Sequence, residues 1–167
     1  MKLHSYSKIL IPHDSSRLAD SVIPEILAMV SAFGSKIILV QVVDSLFQIN
    51  AKLAPSTGFS AGYIVSDLAE QVQKAEHQTA SKNLEHLKKR LHDFGISDVE
   101  TDILEGYPGD EIVKLAKKTK ADLIIMSTHG RSGLGRVLMG SVTDQVIHQA
   151  DCPVLVVRPK MKKLKNQ

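Results

Sequence analysis

Four short, mainly apolar segments and one segment of alternating polarity, Val99–Leu104, are separated by segments of helical periodicity. This arrangement restricts the possible folds more than any other feature of the chain. The first apolar segment, Lys-Ile-Leu-Ile-Pro, has the uniform character of a parallel strand covered on both faces. Strands that alternate with helices form a parallel sheet with helices on both faces and right-handed crossovers. The sequence therefore predicts one open, doubly wound α/β domain. Its strands are expected at Lys8–Pro12, Lys36–Val43, Val99–Leu104, Asp122–Met126 and Pro153–Val157.

The segments between these strands predict helices and one long loop. Asp14, Ser15 and Ser16 are expected to cap the first helix, and Pro24 within its apolar pattern predicts a kink. The segment Asp44–Ser66 has no clear period and predicts a loop of about twenty residues. Further helices are expected from Asp67 to Gly95, over Asp110–Lys118, and from Ser141, which forms a capping box with Asp144.

The stretch Ile124–Thr143 passes from a buried strand through a glycine-containing loop into a helix. Such a turn presents free backbone N–H groups and the positive end of a helix dipole, which favour a bound anion such as phosphate. Ligands of open α/β sheets bind beyond the carboxyl ends of the strands, where the strand order reverses. We therefore expect Pro12–Asp14, Val42–Asp44 and Ser127–Gly133 to converge on one crevice.

Two common phosphate-binding motifs are incomplete in this loop. Gly130 and Gly135 have the spacing of a P-loop, but Arg136 and Val137 replace its lysine and hydroxyl residue. A dinucleotide fingerprint beginning at Gly133 would lack its third glycine and would follow the fourth strand instead of the first. The sequence thus predicts neither of these two sites.

Composition narrows the class of protein further. Hydrophobic residues make up 43% of the chain and charged residues 23%, as in ordinary globular domains, and no apolar run approaches the roughly 18 residues of a membrane span. The polar residues Met1–Ser7 lack the apolar core of a secretion signal, so we expect a cytoplasmic protein. Cys152 is the single cysteine, which excludes an intrachain disulfide. His77, His86 and His92 lack the i, i+4 spacing of a helical metal site.

The charge of +3 is concentrated at the C-terminus. The last ten residues contain five of the 21 basic side chains, and without them 16 basic side chains face 18 acidic ones. Nucleic-acid binding needs basic residues clustered on the folded domain, so we expect neither a nucleic-acid partner nor a membrane partner. The expected organisation is one domain over residues 1–159 and a mobile basic tail over residues 160–167.

The pattern Ser127-x2-Gly130-x9-Gly140-Ser141 resembles the signature of the universal stress protein family. The opening Lys-Ile-Leu-Ile-Pro-His-Asp-Ser-Ser resembles the first strand of that family, and Ile124–Pro159 resembles its closing third. The resemblance implies the adenine-nucleotide α-hydrolase-like form of the fold, with strand order 3-2-1-4-5.

The same resemblance implies an ATP-binding member, with Mg²⁺ as a candidate companion ion. Pro12 and Asp14 would line the adenosine end, and the backbone of Val42 would meet the adenine. The family has glycine where Ser127 stands, so this side chain either donates to the ligand or crowds it. The ribose and phosphates would be held by Met126, Ser127, Thr128, His129, Gly130, Arg131, Ser132 and Gly133, and the phosphates enclosed by Gly140, Ser141, Val142 and Thr143.

Three functions remain open at this stage. The first is a regulatory stress-response protein that holds ATP as a homodimer, paired through an apolar edge strand formed by Val154, Leu155, Val156 and Val157. The second is a slow ATP hydrolase or nucleotidyl transferase, for which no motif assigns a catalytic residue and Asp14 with His129 is the only candidate pair. The third is a dimeric scaffold that binds no nucleotide.

Overall fold

The computed structural model describes residues 5–16, 19–53, 62–128 and 139–158. Within them, one five-stranded parallel sheet has the predicted order 3-2-1-4-5. The strands are β1 (Lys8–Pro12), β2 (Lys36–Val43), β3 (Val99–Glu105), β4 (Leu123–Ser127) and β5 (Val154–Val157). A 3-10 helix, Ala19–Val22, precedes α1 (Ile23–Phe33), and the later helices are α2 (Leu46–Leu53), α3 (Gly62–Asp93), α4 (Pro108–Thr119) and α5 (Ser141–Gln149).

The central strand β1 has apolar side chains on both of its faces. Ile9, Leu10 and Ile11 are fully buried, and complete burial of each such side chain contributes about 1.5–3 kcal/mol. Because side chains alternate along a strand, Ile9 and Ile11 pack with residues of α1 and α3, whereas Leu10 packs with residues of α4 and α5. The uniformly apolar segment therefore forms a strand covered by helices on both sides, as predicted.

Pro24 lies in the first turn of α1 instead of at a kink within a longer helix, so the predicted kink is wrong. The N–H groups of a first turn have no intrahelical acceptor, and a proline there removes no helical hydrogen bond. The capping side chains act on the preceding 3-10 helix, because Ser16 Oγ accepts the Ala19 N–H at 3.1 Å. Pro24 thus marks the beginning of α1.

The predicted loop Asp44–Ser66 is also wrong where the structure describes it. Residues 46–53 form α2, and α3 already begins at Gly62. Ser45 and Gln48 cap α2 reciprocally, since the Gln48 side chain accepts the Ser45 N–H at 2.9 Å and Ser45 Oγ accepts the Gln48 N–H at 3.4 Å. This Ser-x-x-Gln capping box is a sequence signal that the prediction missed.

The long helix α3 covers the sheet through its C-terminal half. Leu84, Leu87 and Leu91 are buried, but Leu68 in the N-terminal half is 43% exposed. α3 also contacts α2, a helix that the sequence prediction did not contain. In the described ranges, no helix combines the length and the apolar character needed to cross a bilayer.

Candidate functional site

A cavity of about 510 Å³ lies at the carboxyl ends of β1, β2 and β4. Here β1 is flanked by β2 on one side and β4 on the other, which is the reversal of strand order at which open α/β sheets bind ligands. The volume is in the range of small-molecule sites, roughly 300–1,000 Å³. The lining residues are Pro12, His13, Asp14, Ala19, Val40, Val42, Pro108, Ile112, Met126, Ser127, Gly140, Ser141, Val142 and Thr143.

One part of the cavity wall is apolar and continuous with the core. Val40 of β2 is fully buried, Ile112 of α4 is 2% exposed, and Met126 of β4 is 5% exposed. All three belong to the cluster that packs between the sheet and the helices α4 and α5. Their side chains are held in place by the fold, so this wall offers a preformed apolar surface to the flat ring of a ligand.

The first turn of α5 forms another part of the wall. Gly140 is the N-cap, with extended backbone angles of φ −63° and ψ 146°, and no side chain caps the helix. The predicted Ser141 cap is therefore wrong, because Ser141 already has helical geometry and the Gly140 carbonyl accepts the first helical hydrogen bond, from the Asp144 N–H at 2.9 Å. A first turn without a side-chain cap keeps backbone donors for an anionic ligand.

Gly140 has open space in front of it. A Cβ added there would meet only Thr143 Oγ1, at 4.0 Å, among the described residues. Its φ is one that any residue adopts, so the backbone conformation does not require glycine. The missing side chain instead lets another group approach the backbone closely.

Thr143 connects α5 to the end of β4. Its side chain is buried, with 3% exposure, and Oγ1 donates a hydrogen bond of 3.3 Å to the carbonyl oxygen of Ser127. Ser127 is 9% exposed and lines the cavity. The hydrogen bond therefore fixes two parts of the wall relative to each other.

His13 lines the cavity. It lies in the segment Pro12–Asp14 that was expected at the crevice, but it was not among the individually predicted site residues. It is 7% exposed, and its Nδ1 accepts the Ser15 N–H at 3.1 Å, so in the neutral ring Nε2 carries the proton. Nε2 lies 3.3 Å from Asp20 Oδ1 but has no well-aligned hydrogen-bond partner among the described residues. The available signal was its place directly after a buried strand, between Pro12 and Asp14.

Burial lowers the pKa of His13 below its ordinary value of 6.5. The carboxylates of Asp20 and Asp14 act in the opposite direction, and the guanidinium of Arg90 adds to the lowering. Arg90 itself donates to Asp20 Oδ2 at 2.9 Å, which ties α3 to the 3-10 helix beside the cavity. The ring is accordingly neutral at pH 7, because its pKa lies below 6.5.

Asp14 lies in a tight turn after β1. Its Oδ1 accepts the Ser16 N–H at 3.0 Å, and Ser15 between them has a left-handed φ of 62°. Ser15 Oγ donates to Gln41 Oε1 at 2.9 Å, which attaches the turn to β2. These contacts orient the Asp14 carboxylate at the cavity.

The fifteen predicted site residues fall into three groups: nine that line the cavity, Thr128, which does not, and five that lie outside the described residues. Thr128 is buried and lies outside the cavity wall, where its N–H donates to the Val157 carbonyl at 3.0 Å. The prediction did not include Ala19, Val40, Pro108 or Ile112, whose positions in the wall follow from tertiary packing. His129, Gly130, Arg131, Ser132 and Gly133 lie outside the described residues. The other nine, namely Pro12, Asp14, Val42, Met126, Ser127, Gly140, Ser141, Val142 and Thr143, all line the cavity.

The described part of the cavity wall is weakly charged. It contains one carboxylate, Asp14, and neither lysine nor arginine is among the described lining residues. Over the same part of the chain, no three His, Cys, Asp or Glu side chains are grouped to hold a metal ion. The donors that the described wall offers to an anion are therefore hydroxyl and backbone N–H groups.

The chain is similar in sequence and in fold to known proteins. The chain is 37% identical to universal stress protein MJ0531 of Methanocaldococcus jannaschii over 94% of this chain and 85% of that protein. The solved structure of MJ0577, a protein of the same organism, superposes with a TM-score of 0.75 at 32% identity over 94% of this chain and 99% of that one. A universal stress protein solved in complex with cAMP has the same fold, with a TM-score of 0.62 at 21% identity over 93% and 98% of the two chains.

The family model of the universal stress proteins matches residues 5–158, which include every strand of the described sheet and the whole described cavity wall. With this match and the 37% identity to MJ0531, the chain belongs to the universal stress protein family.

Proposed function

We propose that this protein binds an adenine nucleotide, with ATP as the expected ligand, and acts as a nucleotide-dependent regulatory protein of the stress response. The observation that carries the proposal is the convergence of the ends of β1, β2 and β4 and the first turn of α5 on one cavity. That cavity combines an apolar wall with uncapped backbone donors, the two surfaces that an adenine and a phosphate require.

The apolar part of the wall suits the adenosine end of such a ligand. Val40, Val42 and Met126 offer contact to the faces of a purine. The Asp14 carboxylate, at the turn after β1, can accept hydrogen bonds from ribose hydroxyls. The family member solved with cAMP, a molecule made of adenine, ribose and one phosphate, supports this class of ligand.

The first turn of α5 suits the phosphates. Gly140 leaves room for close approach, and Ser141 and Thr143 add hydroxyl groups beside the backbone donors. The proposal extends to His129–Gly133, which the sequence resemblance assigns to the ribose and phosphates and which lie outside the described residues. Mg²⁺ would be bound by the phosphate oxygens of ATP.

The proposed assembly is a homodimer paired through β5, in the cytoplasm. β5 is an edge strand, and Val154, Leu155, Val156 and Val157 are each only partly buried. Apolar side chains on an open edge favour pairing with a second strand, and a second copy of β5 would cover them.

The proposal is tested by denaturing the purified protein and identifying released nucleotides by absorbance and chromatography. We expect adenine nucleotide in the supernatant, or, for protein stripped of ligand, a rise in Tm at millimolar ATP. Ligand at about 100 times its Kd stabilises a fold by about 2.7 kcal/mol, which is readily measured. No released nucleotide together with an unchanged Tm would contradict the proposal.

The same preparation distinguishes binding from turnover. Wild-type protein and the Asp14→Ala variant are incubated with ATP and Mg²⁺, and ADP formation is followed. A regulatory binding protein gives ADP no faster than buffer does. Turnover that Asp14→Ala abolishes would instead establish the hydrolase.

A further inference from the structure

One wall of the cavity is shared between two helices that come from different parts of the chain. α4 contributes Pro108 and Ile112, and α5 contributes Ser141, Val142 and Thr143. The position of the α5 first turn in the cavity therefore depends on how closely α5 packs against α4.

The two helices approach each other closely at Gly109. A Cβ added to Gly109 would lie 2.1 Å from Gln145 Oε1, 2.4 Å from Gln145 Cδ and 3.0 Å from Gln145 Cγ. Gly109 is buried, and its φ is not among the positive ones, so its backbone conformation does not require glycine. The absence of a side chain at this position is instead explained by the glutamine that lies against it.

Gln145 is held in this position by a hydrogen bond. Its Nε2 donates to Asp110 Oδ1 at 2.6 Å, and a longer contact of 3.4 Å reaches Gln149 Oε1. Asp110 follows Gly109 in the first turn of α4, so one side chain of α5 contacts two successive residues of α4. The amide thereby restrains both the distance between the helices and the position of α5 along the α4 axis.

We propose that Gln145 is a positioning residue for the nucleotide site, and that its contact with Gly109 sets the separation of α4 and α5. This inference rests on the proposed nucleotide binding. Gln145 lies four residues after Ser141, so the two residues are on the same face of α5, one turn apart. A shift of α5 at Gln145 is therefore carried to the backbone donors at Ser141–Thr143.

A methyl group added at position 109 would clash with the Gln145 side chain. Carbon and oxygen atoms in van der Waals contact are separated by about 3.5 Å, so an alanine there must displace this side chain by about 1 Å or more. In the proposal α5 moves with the side chain, because the hydrogen bond to Asp110 holds the amide in place. Rotation of the terminal amide alone does not remove the contact, because Cγ is already at 3.0 Å. Binding constellations lose function when displaced by more than about 0.5 Å.

The test is a double-mutant cycle read out by the Kd for ATP in titration calorimetry. Gly109→Ala is expected to weaken binding by about tenfold or more, and Gln145→Ala by about threefold. The double variant Gly109→Ala/Gln145→Ala is expected to bind within about threefold of Gln145→Ala, because removing the side chain makes room for the new methyl group. A purely structural role predicts instead that the folded variants keep the wild-type Kd and that the coupling appears only in their stability.

A matched control uses the second glutamine of the same helix. Gln149 is exposed one turn beyond Gln145, so Gly109→Ala/Gln149→Ala should bind as weakly as Gly109→Ala alone. If Gly109→Ala does not fold, recovery of folding and of ATP binding in the double variant with Gln145→Ala, but not with Gln149→Ala, supports the proposal. Failure of the Gln145 pair to recover contradicts it.

The outcomes separate this inference from the function on which it rests. Wild-type protein that binds no ATP would overturn the proposed function and this role of Gln145 together. Wild-type protein that binds ATP with the same Kd as folded Gly109→Ala would overturn only the role of Gln145.

Discussion

The two faces of the sheet differ in how completely helices cover them. On one face, side chains of α1 and α3 close over Ile9 and Ile11, and Leu84, Leu87 and Leu91 are almost fully buried there. On the other face, α4 and α5 leave a cavity at the carboxyl end of the sheet. This contrast predicts that substitutions on the closed face lower mainly stability, and that substitutions at the cavity lower mainly the proposed nucleotide affinity.

The largest expected effect is on the closed face. Leu87→Ala removes a side chain that is 2% exposed, and such substitutions in α-helical cores cost about 2–5 kcal/mol. Urea unfolding should show this loss, while the Kd for ATP of the folded fraction stays within a factor of two or so. Leu68→Ala on the same helix, where Leu68 is 43% exposed, is the control and should cost less than about 1 kcal/mol. A large loss of affinity in Leu87→Ala would break the comparison.

The open face should show the reverse behaviour. Gly140→Val places a branched side chain in the space before the α5 first turn and is expected to weaken ATP binding on the order of 100-fold, about 2.7 kcal/mol. Stability should fall by no more than about 1 kcal/mol, because the backbone angles are ordinary. The neighbouring Met139→Val, at a 43% exposed position outside the cavity wall, is the control. Calorimetry and urea unfolding of both variants decide the point.

Thr143→Val tests whether one hydrogen bond contributes both to stability and to ATP affinity. It keeps the shape of the side chain but removes the hydrogen bond to the Ser127 carbonyl, which costs about 0.5–1.5 kcal/mol of stability. Thr119→Val removes a comparable bond, from Thr119 Oγ1 to the Leu115 carbonyl, away from the cavity. The two variants should lose similar stability in urea unfolding, but only Thr143→Val should bind ATP more weakly. Equal affinities would show that this hydrogen bond does not shape the site.

The smallest expected effect is a pH dependence of stability through His13, in the cavity wall. Burial lowers the pKa of its ring in the folded state below 6.5, against the opposing carboxylates of Asp20 and Asp14 and with help from Arg90. Well above 6.5 the ring is neutral in both states and contributes no pH dependence. As the pH falls from 6.5 towards the folded pKa, the unfolded chain takes up the proton first, so the free energy of unfolding decreases.

Urea midpoints of wild-type protein and of His13→Gln, measured at about pH 7 and about pH 5.5, check this sign. The decrease on acidification should be larger in wild-type protein, because the glutamine does not titrate in this range. An equal or smaller decrease in wild-type protein would contradict the assigned direction.

The strands were predicted more accurately than the starts of the helices. All five strands were predicted to within one residue. Four of them are mainly apolar runs, which have few ways to be buried, and β3 was recognisable by its alternating polarity. The errors at Pro24, at α2 and at Ser141 concern where helices begin, which depends on single hydrogen bonds such as the one that the Gly140 carbonyl accepts. The capping box at Ser45 and Gln48 shows that one of these errors was avoidable.

By itself, the sequence determined the sheet, its order through the family resemblance, and the chain segments that meet at the carboxyl ends of the strands, because these follow from local apolar patterns and recurring motifs. The tertiary structure added the lining residues that the sequence did not indicate individually, and it set how all of the walls are packed. His13 is buried beside Asp20, Ile112 of α4 packs against the strands, and Gln145 lies against Gly109. In each case the sequence pattern around one residue does not indicate its partner. Packing between distant segments sets such contacts, and the shape of the cavity depends on them.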